Sequence, residues 1–250
     1  ANNTAIGYHA MNLNTTGANN TALGSFAMEN NTTGTRNLAI GYAAYDASDT
    51  ENDNVAIGYN AMTTNTAGGT KNVAIGNYTL DALTSGDGNV GVGYQVLSAL
   101  TTGGTNTAIG YQAMSNANNV NITSDFITYN TAVGYQAMQG SATPASNTAT
   151  YNTAMGYQAL KAVTTGGFNN AIGVFALASN TTGNNNAALG YNALVSNTTG
   201  YQNTGIGSSA LANNTTGIRN TAIGFNTLSS ISTGSNNTAI QCSACSKRTT

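Results

Sequence analysis

The chain repeats itself, and a fixed period constrains the fold before any local propensity is considered. The string Asn-Thr-Ala-Ile-Gly-Tyr recurs. Anchoring each copy on its glycine gives Gly7, Gly24, Gly41, Gly58, Gly76, Gly93, Gly110, Gly134, Gly156, Gly173, Gly190, Gly207 and Gly224. The spacing is 17 residues, apart from one of 18 (Gly58 to Gly76) and two longer ones, 24 (Gly110 to Gly134) and 22 (Gly134 to Gly156). A degenerate further copy begins at Asn237 and has Gln241 where the glycine belongs. A 17-residue unit is too short for two helices and a turn, and its glycine and β-branched content opposes helix. Two strands of about five residues with two turns fit it. Stacked rung on rung, such units predict an all-β parallel β-solenoid, or β-roll, of about thirteen coils, in which like residues superpose at about 4.8 Å. One solenoid domain is expected over residues 1–240, with a C-terminal tail or cap over 241–250.

Each position of the unit becomes a column when the rungs stack. Four residues before the glycine, all thirteen copies carry asparagine, beginning with Asn3, Asn20, Asn37, Asn54 and Asn72. Amides stacked in register donate and accept along the axis, so this column reads as a structural ladder at a corner. Two residues before the glycine only Ala or Gly occurs, and one before it an aliphatic side chain such as Ile6, Ile40, Ile57, Val92 or Met155. Four after it every copy is apolar, as in Met11, Met28, Tyr45 and Leu160. Many copies close on Asn-Thr-Thr-Gly, at Gly17, Gly34, Gly183, Gly200 and Gly217. Stacked like charges would repel. That accounts for a chain of 250 residues with 6 Lys+Arg and 8 Asp+Glu, 6% charged where about 25% is ordinary. A net charge of −2 leaves no basic patch for nucleic acid. No apolar run approaches the ~18 residues that would span a membrane.

Alternation along the first strand puts Asn, Ala and Gly on one side and Thr or Val, Ile and Tyr on the other. One side closes on the interior of the coil. The other would expose a long aliphatic stripe flanked by Tyr8, Tyr42 and Tyr59, more than a monomer ordinarily shows. This face is therefore expected to pack against further copies of the chain. In the second strand the varying column of His9, Asn60, Gln95 and Gln112 is expected to face water.

These Asn-Thr-Ala-Ile-Gly-Tyr-x-Ala-Leu units resemble the head repeats of YadA-like trimeric autotransporter adhesins. With their Asn-Thr-Thr-Gly turn they look still more like repeats of phage tail fibres and related bacterial surface fibres. The resemblance covers about residues 2–240, with a period longer than that of the adhesin heads. It implies a left-handed roll, a homotrimer, and a place outside the cell, on its surface or on a virion tail fibre.

Several features are candidate sites. The two long spacings insert 7 and 5 residues, over Ser115 to Tyr129 and Gln139 to Tyr151, and carry Phe126, Ile127, Tyr129, Pro144 and Tyr151. Insertions on one face of a repeat protein are often its binding surface, though tolerated loop growth or a subunit contact would look the same. Asp46, Asp49, Glu51 and Asp53 crowd one turn and could hold Ca²⁺ or form a solvated loop; no EF-hand spacing is present. The tyrosine column either binds sugars or packs between subunits. Cys242 and Cys245 form a lone Cys-x-x-Cys, half a zinc site at best, and read better as a terminal disulfide or cap. Catalysis lacks material: His9 is the single histidine, and Gly91-x-Gly93 lacks the third glycine of a nucleotide loop.

The function expected is that of a non-enzymatic structural and adhesive fibre segment, without cofactor, that binds copies of itself and a cell-surface glycan or protein receptor through displayed loops. Two alternatives stand beside it. One is an ice-binding solenoid using Thr4, Thr21, Thr107, Thr131, Thr153, Thr204 and Thr221, although six of the thirteen rungs interrupt that column. The other is an extracellular filament subunit stacking end to end.

Overall fold

A computed structural model describes residues 2–64, 68–117 and 128–240. The chain forms two compact units, Ala1–Tyr129 and Asn130–Thr250. The first holds seven strands: β1 (Thr4–Ile6), β2 (Thr21–Leu23), β3 (Leu38–Ile40), β4 (Val55–Ile57), β5 (Val73–Ile75), β6 (Val90–Val92) and β7 (Thr107–Ile109). The second holds β8 (Thr131–Val133), β9 (Thr153–Met155), β10 (Asn170–Ile172), β11 (Ala187–Leu189), β12 (Thr204–Ile206), β13 (Thr221–Ile223) and β14 (Thr238–Ile240). Within each unit consecutive strands pair in parallel and in register, Thr4 with Thr21, Ala5 with Ala22, Ile6 with Leu23, and so on. The fold is a parallel β-solenoid with one strand per turn. The only helical element among the described residues is a 3-10 turn, Pro144–Ser146.

In β2 to β14 the central Ala or Gly is buried while its neighbours on either side remain half or fully exposed. This agrees with the alternation read from the sequence. Small side chains are needed inside because each coil is narrow. The core consists of this Ala column, the next inward alanines (Ala27, Ala44, Ala61, Ala176) and the Leu/Met column at Met28, Met62, Leu97 and Leu177.

The second strand expected in each rung does not form. In its place runs a series of turns in which the second and fourth residues after the glycine are left-handed, as at His9 (φ 55°) and Met11 (φ 53°) or Phe26 (φ 60°) and Met28 (φ 55°). The reason is that two consecutive residues point inward there, Ala27 and Met28 or Ala176 and Leu177. A strand, whose side chains alternate, cannot do this. Hydrogen bonding between rungs nevertheless continues, with Phe26 N–H on Tyr8 O at 2.8 Å and Met11 N–H on Ala27 O at 3.1 Å.

This geometry also separates Ile from Leu. All thirteen residues four after the glycine are left-handed, and all are Leu, Met or Tyr. None is β-branched, the side-chain class least compatible with positive φ. Isoleucine instead gathers in the extended column one residue before the glycine.

The anchoring glycines have φ between 125° and 140°. A Cβ on eleven of them, all but Gly110 and Gly224, would lie 2.0–2.6 Å from the carbonyl oxygen of the next rung's glycine within the same unit. No side chain fits at those eleven positions without displacing the neighbouring backbone.

Candidate binding surfaces

The asparagine column, Asn3, Asn20, Asn37, Asn54 and Asn72 among its members, is a structural ladder. Its bonding pattern differs from simple amide-to-amide stacking. Between successive rungs of each unit, Oδ1 accepts the backbone N–H of the next rung's asparagine, at 2.8–3.1 Å, while Asn106 Oδ1 accepts the Thr128 hydroxyl. In most rungs Nδ2 donates to the carbonyl that closes its own coil, Gly17 for Asn3, Gly34 for Asn20 and Glu51 for Asn37, at 2.7 Å in each case. The amide thus fixes both rung spacing and coil closure. Only some members add amide-to-amide bonds, such as Asn89 Nδ2 to Asn72 Oδ1 at 3.1 Å.

A second ladder, from the Asn of Asn-Thr-Thr-Gly, was not legible as a ladder in the sequence because Leu83, Leu100, Val163 and Ile231 replace it in other rungs. Asn31 donates to Asn14 Oδ1 at 2.9 Å, and Asn197 to Asn180 and Asn214 to Asn197 at 2.8 Å each.

The outward strand face carries the aliphatic column. Ile6 is exposed, Ile40 and Ile57 are half-buried, and Ile75, Ile109, Met155, Ile172 and Leu189 are exposed. Beside it runs the aromatic column, and here the structure adds residues that reading one column missed. Where Ser25 and Asn77 interrupt the tyrosines, the following residues Phe26 and Tyr78 fill the gap. The series Tyr8, Phe26, Tyr42, Tyr59, Tyr78, Tyr94, Tyr111 is unbroken, with ring centroids 5.3–6.0 Å apart. Same-column pairs stack (Tyr42 and Tyr59, interplanar 11°), whereas the shifted aromatics meet their neighbours nearly edge-on (Tyr8 and Phe26, 86°). Tyr135, Tyr157 and Phe175 repeat the pattern in the second unit. Burial raises the Tyr78 hydroxyl above the ordinary tyrosine range. The polar column beside the aromatics is half-exposed to exposed, with Gln112 Nε2 on Gln95 Oε1 at 2.9 Å and His9 Nδ1 2.9 Å from Glu29 Oε1.

Of the loop candidates, Phe126 and Ile127 lie outside the described residues, as do Cys242, Cys245 and the tail 241–250. Tyr129 and Tyr151 belong to the regular coil rather than to the insertions. Both occupy the position just before the ladder asparagine, left-handed at φ 47° and 58°. The second insertion is a compact bulge containing Pro144. Asn147 closes it, accepting the Ser141 N–H at 3.0 Å and donating to Ser141 O at 2.9 Å.

The four clustered carboxylates serve separate partners. Asp53 forms a bidentate pair with Arg36 at 2.6 and 2.9 Å, which holds its carboxyl below the usual range. Asp49 accepts the Thr32 hydroxyl. Asp46 is half-buried, and desolvation, with a smaller contribution from Glu29, pushes its carboxyl up. Glu51 is buried and caps its own turn, accepting the N–H groups of Asp49 (2.8 Å) and Thr50 (3.1 Å), and it also accepts the Gly68 N–H of the next rung (3.2 Å). In other rungs the equivalent amides converge on one carbonyl of the next rung, as Thr15, Thr16 and Gly17 do on Thr32 O at 2.9, 3.0 and 3.2 Å. Glu51 does the same work with its side chain. Among the described residues no three His, Cys, Asp or Glu side chains converge as a metal site would require.

Charge is segregated along the chain. Residues 1–129 hold all eight carboxylates with only Arg36 and Lys71, a net charge of −6; residues 130–250 hold Lys161, Arg219, Lys247 and Arg248 and no carboxylate, a net charge of +4. In comparison with known proteins, no family model matches the chain, and no curated protein or solved structure matches it significantly.

Proposed function

We propose that the chain is a segment of an extracellular structural and adhesive fibre, a left-handed solenoid that associates laterally as a homotrimer and displays binding groups from its turns. The observation that supports this is the outward strand face, where an aliphatic side chain in each rung and an aromatic one in most rungs stand half to fully exposed. Burying an aliphatic side chain of this size contributes about 1.5–3 kcal/mol. Association costs about 4–15 kcal/mol, so a handful of rungs covered on this face outweighs it. Light scattering on the purified chain is expected to give a trimer mass. Replacing Ile57, Ile75 and Ile109 with lysine is expected to give a folded monomer, by circular dichroism and mass. A well-folded wild-type monomer would overturn the lateral assembly.

End-to-end stacking is a second reading, favoured by the charge segregation. Parallel lateral copies set residues 1–129 beside residues 1–129, like against like, whereas contact of residues 1–129 of one copy with residues 130–250 of another brings unlike charges together. Salt separates the two, because screening strengthens the first and weakens the second.

A further inference from the structure

We propose that the row Tyr151, Phe168, Asn185, Gln202 and Arg219 in the second unit is a binding ledge for an extended oligosaccharide bearing carboxylates. This deepens the adhesive part of the reading above and does not depend on its assembly part.

The five residues occupy the same position, just before the ladder asparagine, on five successive rungs about 4.8 Å apart. All are exposed, and all share one backbone conformation, φ 56–58°, so their side chains leave the coil along one line. Their backbones are held from the preceding rung: Phe168 N–H on Thr150 O (3.2 Å), Asn185 on Gly167 O (3.1 Å), Gln202 on Asn184 O (3.0 Å) and Arg219 on Tyr201 O (3.1 Å). Such a row is organised before any ligand arrives, which lowers the ordering cost of binding.

The chemistry changes along the row. Tyr151 and Phe168 stack with centroids 4.8 Å apart and planes 4° from parallel, yet remain 48% and 56% exposed. They offer an apolar platform to the C–H face of a sugar ring. Asn185 and Gln202 follow with amide donors and acceptors suited to hydroxyls. Arg219 follows, its Nε 3.3 Å from Gln202 Oε1, and on the next rung Asn236, exposed and left-handed at φ 60°, continues the column with a further amide. No carboxylate occurs anywhere in residues 130–250 to pair with Arg219. A guanidinium so placed favours a planar carboxylate. The equivalent row of the first unit makes the contrast. There Arg36 is closed on Asp53 at 2.6 and 2.9 Å, and Lys71 also acts on Asp53, so its charges are satisfied internally. A single-stranded nucleic acid would need a cation near each phosphate; the row offers one cation and two neutral amides.

The test is calorimetric titration of the full chain with hexamers of galacturonate, mannuronate and sialate, with neutral maltohexaose and with hexathymidylate. At least one acidic hexamer is expected to bind, and more tightly than either control. Phe168→Asn and Arg219→Gln, both residue types already present in this row, should each weaken it about tenfold, the loss of one charge-assisted or stacking contact. Arg219→Gln should also abolish the preference over maltohexaose. Circular dichroism should be unchanged in both variants. Failure of every acidic hexamer to bind at millimolar concentration, tighter binding of hexathymidylate, or binding indifferent to both substitutions would overturn the ledge. None of these outcomes depends on whether the chain is a trimer.

Discussion

Asn214 donates from Nδ2 to Oδ1 of Asn197 at 2.8 Å, but its own buried Oδ1 receives no donor among the described residues, because the next rung carries Ile231 in that column. The same happens to Asn31, whose successor is Ser48, a residue that donates instead to Tyr45 O at 3.1 Å. An asparagine ladder inside a core therefore ends on an unsatisfied oxygen where the next rung offers no donor to it, whether the successor is apolar, as Ile231, or bonds elsewhere, as Ser48. Asn197→Leu should destabilise by about 1–3 kcal/mol, because it strands Asn180 and deprives Asn214 of its acceptor. Replacing Asn180, Asn197 and Asn214 together with leucine, as Leu83 and Leu100 already stand in other rungs, should recover that loss. Denaturant unfolding of single and triple variants checks this; additive losses would refute it.

Leu177 is buried and left-handed at φ 51°, while Ile172 is in an extended strand. Leu177→Ile keeps volume and composition but places a β-branch at positive φ. We expect a loss of about 1–3 kcal/mol, with Ile172→Leu near neutral. Equal effects in thermal unfolding would show that backbone conformation does not select between the two residues.

Ser48 removes one of two obstacles to Glu51. In the neighbouring rung, a Cβ on Gly34 would lie 2.2 Å from Asn31 Oδ1 and 2.5 Å from Glu51 O, so both an asparagine in the first position and the next rung's backbone press against a side chain in the fourth. With serine at 48 the first of these contacts is gone, and the Glu51 side chain caps Asp49 and Thr50. Ser48→Asn should thus be more damaging alone than in combination with Glu51→Gly, a coupling that a double-mutant cycle measures directly.

Asp81 is partly buried, its Oδ1 has no partner among the described residues, and desolvation pushes its carboxyl up to about 6 from 3.8. The folded state then holds this proton more tightly than the unfolded one. Its contribution favours folding at low pH and is lost as pH rises from about 4 through 6. Asp46 acts with the same sign, while Asp53, held low by Arg36, acts oppositely below the ordinary carboxylate range. Asp81→Asn should raise stability at pH 7 and flatten the profile between pH 4 and 6. An unchanged melting temperature at pH 7 would contradict this.

The rung period, the asparagine column and the inward column of Ala or Gly are legible in the sequence because stacking forces each to recur, the asparagine in all thirteen copies. The second half of the rung is not. Ala27 and Met28 show the difficulty: both point inward, which looks like apolar alternation until backbone sign is considered, and propensity says little about left-handed conformations of ordinary residues. Phe26 and Tyr78 escaped because an aromatic can change column by one residue and still reach its neighbours, a compensation visible only when two adjacent columns are read together. Spacing alone assigns Tyr151 to an insertion, whereas its stacking on Phe168 one rung on places it in the regular coil.

The contact between successive anchoring glycines bears on how such a chain can change in length. With a Cβ excluded at 2.0–2.6 Å from the next rung, each glycine acts as a stop against which its neighbour seats, and no partial rung can be inserted between two of them. Growth must occur by duplication of a whole 17-residue unit, or else the surplus must leave the coil in a turn, as it does around Pro144 in the 22-residue spacing. Solenoid length is consequently counted in integers, and recombination among near-identical repeats can lengthen or shorten the chain without passing through a misfolded intermediate sequence.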